Sequence, residues 1–211
     1  WFGSAGYGLF EYDGKSFKQY GTDDGMISNW IRSLYMQDSI LWIGTDKGMC
    51  SYDGEKFEEV NELKDISVNK IIEDKTGNLW IATTNGLFRK NNFLNIYENL
   101  SDETGLNSDY ISNILIDFEN SLWVNNYKAG LSRLKNSKFI FYNEEKGLKG
   151  KIVNSVCEID KGEFLIAFDN GYINKIRNGE ISEFKTKSSL IGKRIRNIYK
   201  DKKDNIWIST Y

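Results

Sequence analysis

Tryptophan returns along this chain at a nearly fixed interval, and that interval constrains the fold more than any other feature. Trp1, Trp42, Trp80, Trp123 and Trp207 mark the frame, and Leu165 holds the same place in Phe164-Leu165-Ile166-Ala167 that Trp42 holds in Leu41-Trp42-Ile43-Gly44. A period of about 42 residues is the mark of stacked supersecondary units, each too small to bury its own apolar surface. The repeats run approximately 1–41, 42–79, 80–122, 123–164 and 165–206, with a sixth starting at 207, in a single region spanning 1–211.

Each unit has the same grammar. An apolar run holding the Trp is followed by a polar turn ending in Gly (Gly8, Gly48, Gly86, Gly130, Gly171), then a second run that stops at Tyr12-Asp13-Gly14, Tyr52-Asp53-Gly54 or Asn178-Gly179. Asp-Gly and Asn-Gly between apolar runs signal hairpins, because these residues tolerate positive φ. A short aromatic run follows, as in Phe17-Lys18-Gln19-Tyr20 and Phe139-Ile140-Phe141-Tyr142.

The fourth run carries apolar residues three apart and then an acidic turn: Ile111, Ile114 and Asp117; Val153, Val156 and Asp160; Ile195, Ile198 and Asp201. Spacing of three suits a helix, but these runs are about eight residues long, β-branched and bounded by turn residues, so strands are expected. They should begin near Ile31, Val68, Ile111, Val153 and Ile195. Four short antiparallel strands per unit predict an all-β fold of β-propeller blades, here a partial propeller of four whole blades and two incomplete ones. The tryptophans read as core wedges, since Leu41-Trp42-Ile43 is apolar without alternation, as a strand covered on both faces must be. Two uncovered blade faces would leave an apolar patch, so neighbouring blades in a longer parent or self-association are expected.

Composition narrows the function. With 28 basic and 30 acidic residues spread evenly, no basic stripe is available for nucleic acid. No apolar window is long enough for a membrane helix. The chain has no histidine, which removes the commonest general base and any phosphotransfer within this segment. No Cys/His cluster suggests zinc, and no cofactor is implied.

The residues that carry the repeat also carry a resemblance. Asp74-Lys75-Thr76-Gly77-Asn78-Leu79-Trp80-Ile81-Ala82-Thr83 with Asn85-Gly86-Leu87, and Leu41 through Gly48 continuing to Tyr52-Asp53-Gly54, resemble the two-component regulator propeller repeat. Asp24-Gly25-Met26-Ile27-Ser28-Asn29 and Gly105-Leu106-Asn107-Ser108-Asp109 resemble its lead-in to each new blade, with Ile27, Asn107 and Lys149 where the family often has proline. This repeat is found in sensor regions of bacterial hybrid two-component receptors. The resemblance implies a place on the periplasmic or extracellular side of the inner membrane, a neighbouring propeller or immunoglobulin-like domain in the parent, a parent histidine kinase, and a carbohydrate or other small ligand.

If the fourth run lines a central channel, the loops leading into it and the turns after each Trp strand share one face, while the Asp-Gly turns lie on the other. Binding residues tend to gather on such loops. Trp30, Ser67, Tyr110, Ile152 and Arg194 precede the inner strands, and Tyr7 and Asn125-Asn126-Tyr127-Lys128 are read as lengthened turns. Trp30, Tyr110 and Tyr127 beside Asn126, Lys128 and Asp109 are candidates for a platform under a sugar ring; the alternative is that these aromatics plug the channel or cover the core edge. Asp74, Asp117 and Asp160 recur in one turn and read as turn formers, not catalytic carboxylates. Two other functions remain open: a protein-interaction scaffold using the same face, and a propeller lyase or sialidase-like hydrolase, which the missing histidine disfavours.

Cys50 and Cys157 fall at different places in different repeats, so they should be unlinked. Thiol titration of denatured, reductant-free protein should count two per chain; a smaller count means a strand has been misplaced.

Overall fold

The computed structural model describes residues 1–100, 106, 108–135, 138–186 and 188–211. Gly105 and Asn107 of the lead-in segment lie outside them. The chain forms two compact units, 1–100 and 101–211. The first holds three antiparallel sheets: β1 (Phe2–Gly3), β2 (Leu9–Tyr12) and β3 (Phe17–Tyr20); β4 (Ile31–Gln37), β5 (Ile40–Thr45), β6 (Met49–Tyr52) and β7 (Phe57–Glu59); β8 (Val68–Glu73), β9 (Leu79–Thr83), β10 (Gly86–Asn91) and β11 (Ile96–Asn99). The second holds β12 (Ile111–Ile116), β13 (Leu122–Asn126), β14 (Gly130–Lys135) and β15 (Lys138–Tyr142); β16 (Val153–Asp160), β17 (Glu163–Phe168), β18 (Ile173–Arg177) and β19 (Glu180–Glu183); β20 (Ile195–Lys200) and β21 (Ile206–Thr210).

Strands pair in chain order within every sheet, and the five expected starting residues begin β4, β8, β12, β16 and β20. Among the described residues the only helical elements are three single 3₁₀ turns, at Thr22–Asp24, Asn61–Leu63 and Glu144–Lys146. The architecture is that of four-stranded β-propeller blades.

The three-residue apolar spacing has a definite cause. Pairing in each first strand skips one residue, between Ile31/Ser33, Val68/Lys70, Ile111/Asn113, Val153/Ser155 and Ile195/Asn197. A bulge sets two residues against one and shifts the side-chain alternation. Ile111 and Ile114, at 0% and 4% exposure, therefore share the buried role that a regular strand would split between faces.

Neighbouring sheets within a unit meet through the Trp strand of one and the first strand of the next. In the first unit Trp42 and Met49 pack with Val68, Ile71 and Ile81; in the second Trp123 and Leu131 pack with Val153, Phe164 and Phe168. Gly44 permits this approach, because a Cβ there would stand 2.6 Å from Val68 Cγ1. Polar bonds tie the first strands of successive sheets: Ile71 on β8 donates its N–H to Ser33 Oγ on β4 (2.9 Å), and Ile198 on β20 donates to Ser155 Oγ on β16 (3.2 Å).

The recurrent aspartates anchor the tryptophans. The indole Nε1–H of Trp80, Trp123 and Trp207 donates at 2.9 Å to Asp74, Asp117 and Asp201 respectively. The second carboxylate oxygen accepts backbone N–H groups of the turn, from Thr76 and Asn78, from Glu119 and Ser121, and from Lys203 and Asn205. Hydrogen bonds from Trp207 and Asn205 hold the Asp201 carboxyl well below its usual range. For Asp74 burial acts upward, but bonds from Thr76, Trp80 and Asn78 outweigh it and the result is a lowered value. Trp42 uses Gln37 Oε1 instead, at 3.2 Å. Asp74 and Asp117 are turn formers, as their recurrence suggested, and Asp201 repeats the arrangement; Asp160, read in the same role, accepts the Lys161 N–H.

Both cysteines are free; burial is the main cause raising both thiols, that of Cys50 to about 11. Asp117 carries the heaviest load of its kind, since its side chain is 1% exposed and also pairs with Arg133 at 2.9 Å. Asp117→Ala should therefore destabilise the protein by about 3–5 kcal/mol in urea denaturation, because the indole N–H, two backbone N–H groups and a guanidinium lose their acceptor together. Asp201→Ala, at an exposed turn, should cost much less.

Candidate functional site

One hydrogen bond recurs at the loop end of five sheets. The residue after each Trp strand donates its N–H to the carbonyl of the residue before the first strand: Asp46 to Trp30 (3.3 Å), Thr84 to Ser67 (3.0 Å), Tyr127 to Tyr110 (2.9 Å), Asp169 to Ile152 (3.2 Å) and Tyr211 to Arg194 (3.1 Å). The bond extends the antiparallel ladder by one step and sets two side chains next to each other at each sheet's rim. Sequence reasoning identified the first member of each pair; of the second members it singled out only Tyr127. The missed signal is simple: the partner is always four residues after the Trp position.

In the second unit this clasp brings Tyr110 and Tyr127 together, with ring centroids 4.7 Å apart and planes tilted by 40°. Both rings keep a solvent face, at 36% and 40% exposure. Lys128 Nζ sits 5.1 Å from the Tyr127 centroid, a cation–π distance. Asp109 is exposed in the bend before Tyr110. Three of the expected residues therefore form one surface feature: Tyr110, Tyr127 and Lys128.

Asn126 departs from the expectation. Asn125 and Asn126 were expected in a lengthened turn, but both belong to β13, and the turn is Tyr127 to Ala129. Asn126 is 1% exposed and donates its amide to Ser132 Oγ and the Val124 carbonyl. It occupies the place of Thr45 and Thr83, whose buried hydroxyls donate to the Gly48 and Gly86 carbonyls, but its own amide is directed to the strands of its hairpin instead. Asn126 Oδ1 and Asn125 Nδ2 are buried without a hydrogen-bond partner among the described residues.

Trp30 belongs to the first unit. It is 55% exposed, and a Cβ on Gly6 would lie 3.6 Å from its indole, so the ring lies against the β1–β2 turn while showing its remainder to solvent.

Beside the rim, the turn after the Trp strand and the loop leading to the next sheet enclose a cleft. In the second unit it measures about 420 Å³ and is lined by Lys128, Gly130, Asn143, Glu144, Glu145 and Lys151, among others. Similar clefts lie in the same place on β17–β20, at about 230 Å³ with Ile173, Phe184 and Leu190, and on β1–β4, at about 340 Å³ with Tyr7, Gln19, Asp23 and Asp24. Gly130 shapes the first: at φ 86° a Cβ would be 2.3 Å from the Tyr142 carbonyl, so only glycine lets the loop come this close. Among the described residues no group of three or more His, Cys, Asp or Glu could hold a metal ion.

Comparison with known proteins agrees with this architecture. Residues 62–85 and 189–211 match the two component regulator propeller family. Both segments span the same elements, from lead-in loop through first strand and Asp turn to the Trp strand. Two solved extracellular domains from B. thetaiotaomicron share the fold. That of a hybrid two component system has 24% identity and a TM-score of 0.76 over 92% of this chain and 29% of its own; that of a one component system has 23% identity and a TM-score of 0.81 over 97% and 28%. This chain thus spans less than a third of either. The virginiamycin B lyase of Staphylococcus aureus is also similar in fold, at 16% identity and a TM-score of 0.68 over 84% of this chain and 62% of the lyase. Curated protein sequences give no match.

The two neighbours Asn126 and Tyr127 should respond unequally to truncation. Asn126→Ala removes donors from a buried network and should lower stability by about 1–3 kcal/mol, whereas Tyr127→Ala loses mainly a half-exposed ring contact worth about 0.5–1 kcal/mol. Thermal melts of both variants check this ordering.

Proposed function

We propose that this chain is an extracytoplasmic ligand-sensing propeller region of a two-component signal-transduction receptor, with a carbohydrate or other small ligand bound at the rim formed by lead-in loops and post-Trp turns. The observation that carries the reading is the exposed Tyr110–Tyr127 pair with Lys128 beside it. Aromatic faces left open at a rim, next to polar clefts, offer stacking and hydrogen bonds in the combination that sugar rings use. The propeller repeats, and a fold shared with extracellular domains of bacterial regulatory systems, support the sensor role. Neighbouring propeller or immunoglobulin-like domains of the parent receptor would receive the signal, since ligand can act only by favouring one arrangement over another.

The region works without covalent chemistry. Asp74, Asp117 and Asp201 are engaged by indole and backbone N–H groups, and the chain offers no histidine. The similar virginiamycin B lyase is inactivated by a histidine-to-alanine substitution, so its chemistry has no counterpart residue here.

In the full receptor, Trp30→Ala and Tyr127→Ala should weaken the ligand response at unchanged protein level, while Asp53→Ala in a hairpin turn should not. Reporter-gene induction reads the difference. Normal signalling by both aromatic variants, or loss only in Asp53→Ala, places the site elsewhere.

A further inference from the structure

The arginine that stands across the ladder from the tryptophan is satisfied in one sheet and not in another. In β8–β11, Arg89 lies between Trp80 and Glu98, and both its Nε (3.1 Å) and its Nη2 (2.6 Å) donate to the Glu98 carboxylate. Arg133 holds the same place in β12–β15, across from Trp123, but its neighbour on the other side is Ile140. Its Nη2 is held by Asp117, Glu119 and Ser121, and its guanidinium lies 5.0 Å from the Trp123 centroid. Its Nε–H is buried with no hydrogen-bond partner among the described residues, and a buried donor without an acceptor is unfavourable. We propose that the cleft beside Arg133, between the β12–β15 and β16–β19 sheets, binds a small carboxylic acid with an apolar body, whose carboxylate takes at Arg133 Nε the place that Glu98 takes at Arg89.

The cleft has room for such a molecule. Two cavities meet there, sharing Arg133, Tyr142, Asn178 and Gly179. One, about 200 Å³, is walled by the buried Trp123, Phe164 and Ile176; the other, about 610 Å³, is bordered by Ile140 and Lys146. The larger lies within the range of small-molecule sites, roughly 300–1,000 Å³. Its surroundings are set in advance. Glu158 accepts the Phe118 N–H (2.8 Å) from the β12–β13 turn and the Gly162 N–H (2.9 Å) from the β16–β17 turn, which ties the two turns together. A Cβ on Gly162 or Gly179 would meet nothing within 4 Å, so the turns that carry them leave the space open. A wall fixed in this way loses little freedom on binding.

Charge and polarity select the ligand. Among the described lining residues Arg133, Lys146 and Lys161 are cationic and Glu119 is the sole carboxylate, which favours an anion. A phosphate dianion at the guanidinium would be repelled by Asp117 and Glu119, which already face Nη2 at 2.9 and 3.3 Å; a carboxylate needs only the Nε–H. The aromatic and aliphatic walls call for the apolar body. Tyr110, Tyr127 and Lys128 of the rim take no part in this lining, so the two sites stand or fall separately.

Titration of this chain with sodium benzoate, its neutral analogue benzamide and inorganic phosphate, followed at the Arg133 Nε–H resonance in a proton–nitrogen correlation spectrum, tests the assignment. Benzoate should shift that resonance saturably and bind about tenfold more tightly than benzamide or phosphate. Ile140→Glu rebuilds the Arg89–Glu98 pair at Arg133, on a side chain that is 38% exposed; it should keep or raise the melting temperature and weaken benzoate about tenfold. Ile140→Gln, which offers the same N–H a neutral amide oxygen, should weaken it less. An Nε–H resonance that benzoate leaves unmoved, benzamide or phosphate binding as tightly as benzoate, full benzoate affinity in Ile140→Glu, or equal weakening by the Glu and Gln variants overturns the proposal.

Discussion

The packing of one sheet's Trp strand against the first strand of the next is the constraint on which the rest depends. A wedge as large as an indole fills the space between sheets but brings a polar N–H into it, and an unpaired N–H there would forfeit much of the gain. Asp117 resolves this for Trp123 by accepting the indole proton while its other oxygen organises the turn that starts the Trp strand. Turn and wedge are thus coupled, and the aspartate cannot be changed without disturbing both. Where the wedge is Leu165 there is no N–H to satisfy, and Asp160 accepts a local bond from the Lys161 N–H.

Much of the fold was legible because the repeat displays each solution several times. The Trp period, the hairpin dipeptides and the β-branched fourth run gave strand order and starting residues. The three-residue spacing was harder, since it matches a helical stripe; only the bulge before Ser33, Lys70, Asn113, Ser155 and Asn197 reconciles it with a strand. Hydrophobic pattern alone cannot reveal a bulge, because what distinguishes it is which residue lacks a partner across the ladder.

The site was legible in part. Tyr110 and Tyr127 could be suspected as aromatics at loop positions, but their meeting depends on a backbone hydrogen bond between segments 17 residues apart in the chain. Asn126 misled, because a polar residue next to an exposed tyrosine reads as part of the same turn. Strand alternation turned it inward, to where Thr45 and Thr83 stand in other sheets. The cleft was invisible in sequence: it is the space that remains when Gly130 allows the Trp-strand turn to approach the Tyr142 carbonyl at the end of β15.

The clasp repeated at the loop end of five sheets uses only main-chain atoms, from the Asp46–Trp30 bond to the Tyr211–Arg194 bond. Its geometry is therefore set without the paired side chains, and the five pairs, Trp with Asp, Ser with Thr, Tyr with Tyr, Ile with Asp and Arg with Tyr, range over aromatic, hydroxyl, aliphatic and charged groups. Scaffold and surface are written in separate alphabets. Substitution at these ten positions can change the chemistry presented at the loop end while the main-chain clasp keeps each sheet in register.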